Sequence, residues 1–292
     1  MTTTRPVLVA TDLSDHASLA LRMADKLARE QNAPLFVVHV LPEMYSVHAL
    51  FPQLNLDAAF SFAALEVQAA EAVTKHVNDQ TGRTIEEYKI LLAHGTPDAG
   101  IDEQARQVNA GTIVVGASGR GVAHLLGRTV RRVVRHAPCD VLVVRKAGQN
   151  GVVVGTDFSD ASQPAIVRAA EEAQRRHAKA DLVYSLDFIP PGVALPGVDV
   201  PMPSLSALDQ VRAQMQQLLQ EQASKFGATP VLKEGPAAHS LAEVAREKDA
   251  GLVVVGTHGR TGFGRFALGS VAETVVETAP CSVLVVRTTP TS

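Results

Sequence analysis

Glycine residues recur through the stretch from 251 to 270, GLVVVGTHGRTGFGRFALGS. The apolar run from Leu252 to Val255 predicts a buried strand, and a helix is predicted to begin near Ser270. Glycine lets a backbone approach a ligand closely and take positive φ. The unpaired N–H groups of a first helical turn favour an anion. The stretch therefore predicts a phosphate-binding loop, and a flexible surface loop is the alternative.

Several side chains of this loop could add to the backbone contacts. Ser270 stands where a hydroxyl could cap the helix or bond a phosphate oxygen. His258 could contact a phosphate, and Arg260 could neutralise its charge. The residues predicted to bind here are Gly256, His258, Gly259, Arg260, Gly262, Gly269, Ser270 and Val271.

A second candidate group follows a predicted strand in Gly155-Thr-Asp-Phe-Ser159. Thr156 and Asp157 stand at the carboxyl end of that strand, where the carboxylate could accept hydrogen bonds from a ribose or a base. Asp and Ser are also common in turns and at helix N-termini, so a local structural role is the alternative. Asp12 is the counterpart of Asp157 in Ala10-Thr-Asp-Leu-Ser14.

These groups belong to an internal sequence repeat, of which the chain contains two copies. Residues 6–12, PVLVATD, match 151–157, GVVVGTD, and 111–119, GTIVVGASG, match 251–259, GLVVVGTHG. A repeat of about 145 residues is a duplicated domain, because solenoid repeats are about 20–50 residues long. We expect one domain over residues 1–147 and another over residues 148–292.

Each half alternates apolar strands with amphipathic helices. Strands are predicted at 6–11, 34–41, 87–93, 111–116, 140–145, 151–156, 181–188, 229–233, 251–255 and 282–287. Helices are predicted at 15–31, 58–80, 97–108, 127–136, 161–178, 204–226, 238–248 and 269–278. The pattern is typical of a parallel sheet covered on both faces. The fold class is therefore α/β, with two tandem five-stranded doubly wound domains that bind ligands where the strand order reverses.

The spacing Gly256-x2-Gly259-x9-Gly269-Ser270 resembles the nucleotide-binding signature of the universal stress protein family. The resemblance extends over the whole chain, with one family domain in each half. It implies the adenine nucleotide alpha-hydrolase-like fold with strand order 3-2-1-4-5, and ATP, with or without Mg²⁺, as the ligand. In this family the end of strand 2 faces the adenine, which implies a contact at Val40 in the first half and at Asp187 in the second.

The first half departs from this signature. It reads Gly116-x2-Gly119-x7-Gly127-Arg128-Thr129, so its loop is two residues shorter and Arg128 replaces Ser270. Arg128 could bind an anion or fill the pocket itself. We expect the first domain to bind nucleotide weakly or not at all.

Composition excludes several other classes of function. The net charge is −3, tryptophan is absent, and no apolar stretch is long enough for a membrane span, so neither nucleic acid nor membrane is expected as a partner. The N-terminal residues lack a signal-peptide pattern, which favours a cytoplasmic location. No metal-ligand spacing, P-loop, strand-1 dinucleotide motif or nucleophile elbow occurs, and no catalytic residue is predicted.

The sequence favours a nucleotide-dependent stress-response or signalling module whose second domain binds ATP. A slow ATP hydrolase and a non-nucleotide ligand-binding or protein scaffold are the alternatives. The apolar fifth strands, 141–144 and 283–286, are expected to pair the two domains with each other, and a homodimer of the whole chain is a further expectation. The proline-bearing connections 42–57 and 189–203 could be lids or partner surfaces, and ordinary long connections packed on the sheet edge are the alternative.

Overall fold

The computed structural model describes residues 4–41, 62–118, 126–145, 151–187, 204–257 and 268–287. The chain divides into two compact units, Met1–Lys146 and Ala147–Ser292. Each unit is an α/β sandwich whose parallel sheet is covered by helices.

Unit 1 contains five parallel strands in the order β3-β2-β1-β4-β5. Its elements in chain order are β1 (Val7–Ala10), α1 (Asp15–Gln31), β2 (Leu35–Leu41), α2 (Phe62–Thr81), β3 (Lys89–His94), α3 (Pro97–Gln107), β4 (Thr112–Gly116), α4 (Arg128–His136) and β5 (Asp140–Val144).

Unit 2 repeats this arrangement with the order β8-β7-β6-β9-β10. Its elements are β6 (Val152–Gly155), α5 (Gln163–Arg175), β7 (Ala180–Leu186), α6 (Leu205–Lys225), β8 (Thr229–Glu234), α7 (Ala237–Glu247), β9 (Leu252–Gly256), α8 (Ser270–Thr278) and β10 (Ser282–Val286). The predicted fold class and the 3-2-1-4-5 order are confirmed in both units.

The strands at the centre of each sheet are almost entirely apolar, as expected for a parallel sheet whose faces are both covered by helices. In β9, the residues from Leu252 to Val255 are at most 4% exposed. Helix α1 buries Ala17, Leu21, Ala24 and Ala28 on one stripe, as its spacing predicts. Ser14 caps this helix by accepting a hydrogen bond from the Ala17 amide.

One predicted helix differs from the structure. The sequence predicts a helix over 161–178, but a 3₁₀ turn at Asp160–Ser162 precedes α5 and the helix ends at Arg175. His177 has φ 51°, a left-handed conformation that ends a helix. The helical pattern alone does not reveal this stop.

The strand order reverses once in each unit. From β1 the chain moves outward to β2 and β3, then returns to β4 on the other side of β1. The same reversal lies between β6 and β9 in unit 2. The connections diverge at this point, which opens a crevice at the carboxyl ends of the strands. Among the described residues, no helix is both long and apolar enough to cross a membrane.

Candidate functional site

A cavity of about 270 Å³ lies in unit 2 at the carboxyl ends of β6, β7 and β9. The N-terminus of α8 and the first turns of α7 complete its wall. The cavity contains six residues that the sequence predicts as ligand contacts: Thr156, Asp157, Gly256, Gly269, Ser270 and Val271. Sequence reasoning missed other lining residues, including Ser162, Val183, Ser185, Leu241 and Thr257.

The turn after β6 holds Thr156 and Asp157 in place. Phe158 has φ 63°, and its amide donates to Thr156 Oγ1 at 3.1 Å. Asp157 Oδ1 accepts from the amide of Ser159 at 3.0 Å and from its hydroxyl at 2.6 Å. The carboxylate of Asp157 therefore both stabilises an Asx turn and lines the cavity.

Unit 1 contains the same turn after β1. Leu13 also has φ 63°, its amide donates to Thr11 Oγ1 at 3.1 Å, and the Ser14 amide donates to Asp12 Oδ1 at 3.1 Å. The turn is therefore encoded by the repeated Thr-Asp-x-Ser sequence.

Helix α6 fixes the orientation of Thr156. The Thr156 hydroxyl donates to Gln222 Oε1 at 2.9 Å and lies 3.4 Å from the hydroxyl of Ser162. Thr156 is 8% exposed, so its hydroxyl has little access to water and is held by these side chains. Gln222 cannot be singled out from the sequence, because it lies on a helix with many polar residues.

The N-terminus of α8 presents unpaired amides to the cavity. Gly269 is the N-cap, and its amide donates to the Thr257 carbonyl at 2.8 Å. The first intrahelical bond runs from the Glu273 amide to the Gly269 carbonyl at 3.0 Å. In the described part of the chain, the amides of Ser270, Val271 and Ala272 have no acceptor, and all three residues line the cavity.

This geometry corrects two expectations about the helix N-terminus. Ser270 is the first helical residue and not the cap, and no side chain of the described residues caps α8. Gly269 has φ −65° and ψ 147°, which any residue can adopt, so it does not supply a positive φ. What glycine contributes at this position is the lack of a side chain beside the unpaired amides.

The corresponding cavity in unit 1 measures about 210 Å³. Of the residues predicted there, Asp12, Val40, Gly116, Gly127 and Thr129 line it. Arg128 is exposed and is not among the described lining residues, so its side chain does not fill the cavity. Gly127 caps α4 as Gly269 caps α8, and its amide donates to the Ala117 carbonyl at 3.0 Å.

Gly116 is required by packing within the protein. A Cβ atom at this position would lie 2.6 Å from the carbonyl oxygen of His16, where the end of β4 passes the backbone of α1. At Gly127 the nearest atom to such a Cβ would be Val130 Cγ2 at 3.7 Å, an ordinary contact. The signature glycines of unit 1 therefore have different structural roles.

The strand register corrects the predicted contact at Asp187. Ala10 pairs with Val38 in unit 1 and Gly155 pairs with Val183 in unit 2, so Val40 corresponds to Ser185. Asp187 follows the end of β7, is exposed, and is not among the described residues that line the cavity. The sequence-based prediction lies two residues too far along the chain, because β7 has no counterpart of the His39-Val40 pair of β2.

Two histidines lie close to the turn after β1. His39 Nδ1 is 2.8 Å from the Thr11 carbonyl oxygen. His76, on α2, has a buried Nε2 that makes no hydrogen bond within the described residues. Burial lowers the pKa of His76, and the carboxylates of Asp79 and Asp12 act in the opposite direction. Unit 1 thus has an imidazole near this turn, where unit 2 has the amide of Gln222.

Five predicted site residues lie outside the described part of the chain. They are Gly119, His258, Gly259, Arg260 and Gly262. Within the described ranges, no three His, Cys, Asp or Glu side chains are grouped as a metal site would require. The described cavity of unit 2 combines unpaired amides, a carboxylate and hydroxyl groups, which suits a ligand with an anionic end and hydroxyl groups.

Comparison with known proteins agrees with this architecture. The model of the universal stress protein family matches residues 3–145 and 150–287. A universal stress protein of Mycobacterium tuberculosis is 31% identical over 96% of each chain, and one of Mycolicibacterium smegmatis is also 31% identical over 96% of each chain. The crystal structure of a universal stress protein from Archaeoglobus fulgidus superposes with a TM-score of 0.66 at 15% identity, covering 99% of this chain and 98% of that one. The chain belongs to the universal stress protein family, with one family domain in each half.

Proposed function

We propose that the cavity of unit 2 binds ATP and that the protein acts as a nucleotide-dependent stress-response or signalling module. The observation that carries this proposal is the set of amides of Ser270, Val271 and Ala272 on the wall of the cavity, which have no acceptor among the residues that the structure describes. Three amides at the positive end of a helix favour a phosphate group.

The strand order supports a nucleotide lying across the carboxyl edge of the sheet. Helix α8 follows β9, and β6 and β7 are the next two strands. Neighbouring strands are about 4.8 Å apart, so β7 lies about 10 Å from β9. That distance suits a nucleotide whose phosphate lies at α8, whose ribose lies beside Asp157 in the turn after β6, and whose base lies over β7.

The chemistry at Asp157 fits the ribose end of such a ligand. One carboxylate oxygen is engaged by Ser159, and a carboxylate can accept several hydrogen bonds. Mg²⁺ would arrive with the phosphates, since it is usually held by phosphate oxygens and water together with one or two carboxylates.

We propose a weaker role in binding for unit 1. Its cavity contains Asp12 and Thr129, and its helix N-terminus has the same glycine cap. Its loop is two residues shorter between the signature glycines, which leaves less backbone for a triphosphate. Pairing of the two units through their fifth strands, a homodimer and a cytoplasmic location remain proposals that rest on the sequence.

Calorimetric titration of MgATP into the wild type and into two matched variants tests the proposal. Asp157→Asn keeps an oxygen for the turn but removes the charge, and Asp12→Asn makes the same change in unit 1. A hydrogen bond to a charged acceptor contributes about 1.5–3 kcal/mol, against about 0.5–1.5 for a neutral one. We expect Asp157→Asn to weaken binding by about 5–10-fold and Asp12→Asn to leave it unchanged.

Three other results would lead to a different conclusion. A second site that is weakened by Asp12→Asn would show that unit 1 also binds. Release of phosphate from bound ATP over time would identify a hydrolase. If the wild type does not bind MgATP, the proposal is wrong and a scaffold for other ligands becomes the better account.

A further inference from the structure

One of the differences between the two cavities lies at a pair of neighbouring positions on the second strand and the third helix of each unit. In unit 2, Ser185 on β7 lies 2.8 Å from the hydroxyl of Ser240 on α7. In unit 1, the corresponding positions are Val40 on β2 and Gly100 on α3. Both Ser185 and Val40 line their cavities. A hydroxyl pair in one unit thus replaces an apolar pair in the other.

The larger members of the two pairs do not fit side by side without a shift. A Cβ atom on Gly100 would lie 3.0 and 3.1 Å from the two methyl carbons of Val40, which is tighter than ordinary packing. A serine on α3 therefore requires a smaller residue than valine on β2, and unit 2 has that combination. The exchange is a coordinated change in the chemistry of the cavity wall.

The hydrogen bonds that the Ser185 hydroxyl already makes within the protein decide whether it can donate to a ligand or accept from it. Its hydroxyl donates to the Gly235 carbonyl at 2.6 Å, which uses its one proton. The contact with Ser240 must then be donated by Ser240, so it uses one lone pair of Ser185. Ser185 retains one lone pair and no proton, and it can only accept a hydrogen bond from a ligand.

The carbonyl that takes this proton belongs to a turn that both units share. Gly235 has φ 104° and Gly95 has φ 110°, and the amide of each donates to the last residue of the neighbouring strand, Leu186 or Leu41. The turn is thus in place with or without the serine. Only unit 2 uses its carbonyl to orient a hydroxyl at the cavity.

We propose that Ser185 is a specificity-determining residue that selects bases with an amino group on the edge that lies over β7. This inference rests on the proposed function, which places the base there. An exocyclic N–H of a 6-aminopurine would donate to Ser185. A 6-oxopurine would place its O6 acceptor against the free lone pair of Ser185 Oγ. Neither of these two oxygens could supply a proton for a hydrogen bond.

The test compares ATP with inosine triphosphate, which carries oxygen in place of the 6-amino group. The wild type is expected to bind ATP about tenfold or more tightly than inosine triphosphate. In Ser185→Val/Ser240→Gly, which copies the pair of unit 1, the ratio is expected to fall to about threefold or less. Ser185→Thr keeps the hydroxyl and is expected to keep the preference.

Glycine in α7 lowers helix stability, so melting curves must show that the double variant is folded at the titration temperature. Equal binding of the two nucleotides by the wild type would overturn the inference while the proposed function stands. An unchanged preference in the folded double variant would also overturn it. Binding of neither nucleotide by the wild type would overturn the proposed function and the inference with it.

Discussion

Replacing Ser270 with proline would remove one amide donor from the proposed phosphate site and leave α8 intact. Ser270 is the first helical residue, a position where proline fits because its amide has no intrahelical partner. Proline also requires an extended residue before it, and Gly269 has φ −65° and ψ 147°. The chain already uses this arrangement at Pro97, which begins α3.

The effect on binding follows from the loss of one hydrogen bond to an anion. Such a bond contributes about 1.5–3 kcal/mol, so Ser270→Pro should weaken the affinity for MgATP by about 10–150-fold. Ser270→Ala is the matched control, since it removes the same hydroxyl but keeps the amide. We expect Ser270→Ala to bind within about fivefold of the wild type, because a neutral hydroxyl contributes about 1 kcal/mol.

Isothermal titration calorimetry measures both affinities, and thermal melting verifies that α8 is preserved. Arg128→Pro makes the equivalent change at the first residue of α4 and should leave the unit 2 site unaffected. If folded Ser270→Pro binds MgATP as tightly as Ser270→Ala does, the Ser270 amide does not hold the phosphate and the reasoning is refuted.

Two further predictions concern the stability of unit 1. Gly116→Ala places a Cβ 2.6 Å from the His16 carbonyl oxygen and should destabilise the protein by about 1–3 kcal/mol in urea unfolding, whereas an unchanged midpoint would show that the backbone adjusts freely. The second concerns pH. Because burial holds the pKa of His76 below its unfolded value of about 6.5, the unfolded state binds the proton first, and stability should fall as the pH drops from about 6.5 toward the folded pKa. The variant His76→Gln carries the same type of amide as Gln222. Between pH 7.5 and pH 5.5 its free energy of unfolding should fall less than that of the wild type. If both proteins lose the same amount, protonation of His76 does not cause the loss of stability.

The fold could be predicted because its signals are local and repeated. Each strand is a short valine-rich run, and the helices carry apolar residues at helical spacing, as in the Ala17–Ala28 stripe of α1. The duplicated Thr-Asp-x-Ser segments and the paired glycines predict a ligand site at the ends of the first and fourth strands, where each unit has a cavity. These features depend on the order of residues along the chain, which the sequence shows directly.

The remaining features of the site depend on contacts that are distant in sequence. Gln222 reaches Thr156 from 66 residues away, and Ser185 meets Ser240 across 55 residues. The Asp187 contact was misplaced for the same reason, since only the pairing of β7 with β6 fixes which residue faces the cavity. The register, and not the motif, identifies Ser185 as the residue of β7 that corresponds to Val40.

The most direct test of nucleotide binding in unit 2 is hydrogen–deuterium exchange of the full chain with and without saturating MgATP. The amides of Ser270, Val271 and Ala272 have no acceptor among the described residues and should exchange rapidly in the absence of ligand. The account predicts that MgATP slows exchange in the peptide over 268–278 and around 152–160, with little change over 126–136. Unchanged exchange over 268–278 at saturating MgATP would contradict it.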